Sequence, residues 1–74
     1  METGDMVRMA NQIGGYFKGY GEDEAVKEIS NHMNAYWEPR MRRSFFALLD
    51  QGGEGLSDIV KKAATKVKRP AEAA

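Results

Sequence analysis

The sequence contains no cysteine, which excludes disulfides and leaves no thiolate to hold zinc or an iron–sulfur cluster. It has a single histidine among 74 residues. One imidazole with scattered carboxylates is a poor donor set for a structural metal. Long apolar runs are missing too: none approaches the roughly 20 residues that span a bilayer. No basic segment followed by an apolar stretch opens the chain, so the expected location is the cytoplasm, with no membrane partner. Net charge is also lacking, with eleven basic residues against eleven acidic. That balance argues against a general nucleic-acid binder, whose phosphate footprint demands excess Lys and Arg. A chain this short makes one domain at most, and its core rarely supplies more than about 3–5 kcal/mol of net stability. With disulfide and metal staples missing, the remaining staple is another protein.

What is present is helical periodicity. Met6, Met9, Ala10, Ile13, Tyr16, Phe17 and Tyr20 fall on one face of a first helix, with Asp5 as its N-cap and Gly19 and Gly21 as its end. Gly14 and Gly15 weaken that helix by about 1 kcal/mol each, which close approach of another backbone would explain. Glu22, Asp23 and Glu24 suit the positive start of a second helix, whose apolar arc is Ala25, Val26, Ile29, Met33, Tyr36 and Trp37. Glu38-Pro39 breaks it, and proline is well placed to open a third helix to about Asp50. Met41, Phe45, Leu48 and Leu49 form its inner face. Gln51 to Gly55 is a stop and turn, and a fourth helix starts near Ser57, burying Ile59, Val60, Ala63 and Val67. The expected fold is all-α: a small bundle of three to four short helices over residues 1–67, with a disordered tail over 68–74.

Charge is unevenly spread. Residues 1–24 carry five acids against two bases, and residues 51–74 five bases against three acids, a hint of an interaction surface. Catalysis is the weakest reading, because His32 has no Ser or Cys in an interpretable relation to it. A histidine at the edge of an apolar arc usually packs and donates one hydrogen bond. The glycine-rich stretch from Gly14 to Gly21 lacks the strand and Gly-Lys-Ser/Thr of a phosphate loop. No catalytic, cofactor or metal residue is therefore expected.

The densest stretch runs from Asn31 to Arg43, holding the only His and the only Trp. Arg40 and Arg43 fall on the outer face of the third helix and Arg42 on its shoulder beside Phe46. These arginines either make a solvated face, pairing with Glu38 or Asp50, or form a partner surface, where Arg and large aromatics concentrate. A unit this small is not expected to cover Met6, Tyr16, Phe17, Tyr20, Tyr36, Trp37, Phe45 and Phe46 together, so another chain should cover some of them. A helix-turn-helix DNA-binding regulator is the alternative, weakened by the tight Glu-Pro joint and the zero net charge.

Three segments carry a resemblance. They are Val7-Arg8-Met9-Ala10-Asn11-Gln12-Ile13; then Asn31-His32 followed by Trp37-Glu38-Pro39-Arg40-Met41-Arg42; and Leu49-Asp50-Gln51-Gly52-Gly53-Glu54-Gly55-Leu56. In this order, over residues 7 to about 60, the chain resembles the delta subunits of soluble NAD-dependent formate dehydrogenases. In that family Asp is frequent at the position of Glu38, and Pro often follows the serine at Ser57, where this chain has Asp58.

The resemblance implies a non-catalytic accessory subunit of a cytoplasmic complex that oxidises formate to carbon dioxide and reduces NAD. A large alpha subunit would carry a molybdenum or tungsten bis-pterin-guanine-dinucleotide centre and iron–sulfur clusters. Beta and gamma subunits would carry FMN and further clusters, and this chain none. It would dock mainly on the alpha subunit and aid assembly or stability. The expected partner interface is Asn11, Asn31, His32, Trp37, Pro39, Arg40, Arg42, Arg43 and Phe46, with Trp37 and Phe46 as apolar anchors.

Overall fold

The computed structural model describes residues 3–70. Four α-helices follow one another: α1 (Thr3–Tyr16), α2 (Glu22–Tyr36), α3 (Pro39–Asp50) and α4 (Asp58–Ala64), with a short 3-10 turn (Lys18–Tyr20) between the first two. No strand occurs among the described residues, so the all-α expectation holds.

Local chemistry sets the helix limits. The acidic first turn of α2 begins at Glu22, and Pro39 occupies the opening position of α3. α3 closes with a Schellman arrangement: Gly53 N–H donates to Leu48 O at 2.9 Å and Gly52 N–H to Leu49 O at 3.0 Å. Gly52 has φ +110°, a left-handed conformation that glycine adopts without a Cβ clash. α1 begins at Thr3, two residues before the expected cap, so Asp5 lies inside its first turn, where it pairs with Arg8 at 2.8 Å.

All four helices feed one core, with α2 packing most extensively on α4. Phe45, Met6, Ile29, Met33 and Val60 are fully enclosed, and burying a side chain of this size contributes about 1.5–3 kcal/mol. Gly14 explains itself here. A Cβ at that position would stand 2.8 Å from Val60 Cγ2, so the close approach is by α4 side chains, not backbone.

Residues 68–70 were expected in a disordered tail, and the structure shows them attached to the bundle. Residues 65–70 continue from α4 as a C-terminal strap: Val67 is buried, and Lys68 and Arg69 are held by α2 and α3. The rest of the expected tail, 71–74, lies outside the described residues.

Candidate functional site

The elbow between α2 and α3 is built by Glu38-Pro39. Trp37 closes α2 in an extended conformation and turns inward, and its ring meets Phe45 edge-to-face at 5.5 Å. Trp37 is only 5% exposed and Phe46 6%, so the two expected docking anchors belong to the chain's own core. Phe46, placed beside Phe45, needs cover from a second direction, and the strap supplies it. The Arg69 guanidinium lies 4.4 Å from the Phe46 ring centroid, a cation–π contact. The same guanidinium donates to both carboxylate oxygens of Asp50, at 3.1 and 3.0 Å. This bond holds the Asp50 carboxyl below its ordinary value of 3.8.

Arg42 is also spent internally. Its Nε donates to Trp37 O at 3.1 Å and its Nη1 to Lys68 O at 2.8 Å, so one fork ties the elbow to the strap. Asn11 plays a similar part elsewhere. It donates to Gly55 O at 2.8 Å and accepts from Ser57 N–H at 2.9 Å, locking the loop before α4 onto α1. Asn34 repeats the device on the strap, donating to Lys66 O at 3.2 Å and accepting from Lys68 N–H at 2.8 Å. Nothing in the sequence marks a helical Asn as a clamp for a segment 32 residues away. Pro39 is exposed and opens α3. Asn31, Arg40 and Arg43 are exposed, and their side chains have no partner among the described residues.

His32 leads to a different surface. With Gln12, Ile13, Tyr16, Phe17 and Tyr36 it lines an open groove of about 600 Å³ between α1 and α2. Tyr16 is 78% exposed and Tyr36 75%, although both were expected on core-facing arcs. The 3-10 turn carries the chain away just past Tyr16 and the elbow turns away just past Tyr36, so no element among the described residues packs over either ring. His32 stacks tilted against Tyr36 at 5.0 Å, and Phe17 meets both Tyr16 (5.2 Å) and Tyr20 (5.5 Å) edge-on. Among the described residues no three His, Cys, Asp or Glu gather as a metal would require.

Residues 5–64 match the model of a family described as "NADH-dependant formate dehydrogenase delta subunit FdsD". The chain belongs to this family. No curated protein and no solved structure matches it.

The FdsD match takes in the elbow, the groove and the α1–loop clamp, and it stops before the strap. This FdsD chain has no cysteine, so it offers no thiolate to an iron–sulfur cluster. None of its described helices is long and apolar enough to cross a membrane.

Proposed function

We propose that this chain is a non-catalytic accessory subunit of a cytoplasmic NAD-dependent formate dehydrogenase complex, docking on the large cofactor-bearing subunit and supporting its assembly or stability. One observation carries the docking reading. The Tyr16–Tyr36 groove leaves large aromatic surface uncovered, with Tyr20 also exposed nearby in sequence, while the other large apolar side chains among the described residues are buried or half-buried. Tyrosine suits such a role because its ring gives contact area and its hydroxyl a hydrogen bond, and few rotamers are lost on binding. In this reading His32 and Gln12 supply polar contacts at the groove. The molybdenum or tungsten pterin centre, the iron–sulfur clusters and FMN sit in the alpha, beta and gamma subunits.

The test replaces Tyr16 and Tyr36 together by Ala in the full complex. Both rings are exposed, so the chain should keep its own fold and lose its place in the complex. A true anchor costs at least about 2 kcal/mol of association when truncated, enough to deplete the double variant from the purified enzyme. Undiminished co-purification with the large subunit would remove the groove from the interface.

A further inference from the structure

The sequence keeps two basic clusters apart, Arg40-Met41-Arg42-Arg43 on α3 and Lys66-Val67-Lys68-Arg69 beyond α4. The structure joins them. Arg42 donates to Lys68 O, Arg69 grips Asp50 on α3, and Arg43, Phe46, Arg69 and Pro70 line one shallow cleft of about 90 Å³. Arg40 stands one turn before Arg43 on the outer face of the same helix. Of the acids near this surface in sequence, Asp50 is already engaged by Arg69, Glu38 sits at the elbow, and Glu72 lies outside the described residues. The side chains of Arg40, Arg43 and Lys68 are exposed and have no partner among the described residues. Four of the eleven acids lie on α2, at Glu22, Asp23, Glu24 and Glu28. A zero net charge therefore conceals a basic surface where the strap meets α3.

We infer that this face, formed by Arg40, Arg43 and Lys68 where the strap meets α3, docks on a carboxylate-rich patch of a protein surface within the formate dehydrogenase complex. The inference rests on the docking reading above and adds a second contact of opposite character to the tyrosine groove. Arginine forks match carboxylates two bonds at a time, and complementary charge at an interface fixes orientation and speeds encounter. A protein partner fits better than duplex DNA. Three free cations displace few counterions, and the acids of α2 repel a long polyanion.

The experiment adds the full-length chain back to formate dehydrogenase purified from cells lacking it, and measures affinity at low and high salt. The R40E/R43E variant should bind about tenfold more weakly than the unmodified chain at low salt, and K68E several-fold more weakly, the gap closing as salt screens the charges. K27E/K61E reverses two exposed lysines elsewhere and should bind like the unmodified chain. Equal binding by R40E/R43E, or an equal loss in K27E/K61E, overturns the basic face while the docking reading stands. Failure of the unmodified chain to bind at any salt overturns the docking reading itself. Tighter capture by duplex DNA or anionic vesicles than by the enzyme overturns the choice of a protein partner.

Discussion

Gly14 sits where α1 meets α4, and an added methyl there would press on Val60 at 2.8 Å; its neighbour Gly15 faces open space. The two positions should respond to the same substitution with opposite signs. Gly14→Ala forces α4 to shift and should cost about 1–3 kcal/mol as an overpacked site. Gly15→Ala gains helix propensity near the end of α1 and should stabilise by about 0.5 kcal/mol. Urea titrations followed by circular dichroism would read both values. From sequence the pair is indistinguishable, since each glycine looks like a weak point in the same helix. Trp37, Phe46, Arg42 and Asn11 were illegible for a related reason. The groups that engage Phe46, Asn11 and one side of Arg42 come from distant segments, and an aromatic or arginine spent internally has the same letter as one offered to a partner.

At the scale of elements, the limits of α2 and α3 were readable because acids, proline and glycine act locally on the backbone. The strap was not readable. Lys66 to Pro70 looks like a charged tail ending in a helix breaker, yet the Asn34, Arg42 and Asp50 side chains hold it down and Val67 is buried in the core. Asp50→Asn should therefore loosen the strap selectively: amide exchange should rise at residues 66–69 while the buried turns of α2 and α4 keep their protection. The Arg69 bond lowers the Asp50 pKa. Its contribution is thus present above the ordinary value of 3.8 and is lost as pH falls through the lower folded value. The difference in exchange between the native chain and D50N should vanish at such acid pH. A difference that persists there would mean that the carboxylate does not hold the strap. The Glu22–Lys62 pair, which ties α2 to α4 at 2.8 Å, raises the Lys62 pKa and acts in the opposite sense. Its contribution is present below 10.5 and is lost only in strong alkali as pH rises through the folded value.

For the molecule as a whole, a radius of gyration of 11.5 Å equals the roughly 11 Å of a compact chain of this length. Among the described residues every helix contributes to the core, and no buried side-chain polar atom lacks a hydrogen bond. All the helices share one core around Phe45, so that core should fail as a unit. Phe45→Ala should cost about 3–5 kcal/mol, as much as a core of this size supplies in net stability, and far-ultraviolet circular dichroism should show the helices lost together at 25 °C. The bundle itself was legible in the helical spacing, and so was the expectation that some of its large aromatics would stay uncovered; which ones was not, because periodicity put Tyr16 and Tyr36 on the apolar arcs of their helices. The strap also has a consequence in time. Synthesis runs from the amino terminus, so Phe46 leaves the ribosome more than twenty residues ahead of Arg69, the residue that roofs it. Through that interval the nascent helices carry a bare aromatic flank, and a translation product cut short before residue 67 would keep it. Such fragments would be the ones chaperones hold and proteases clear, leaving finished chains for the enzyme to recruit.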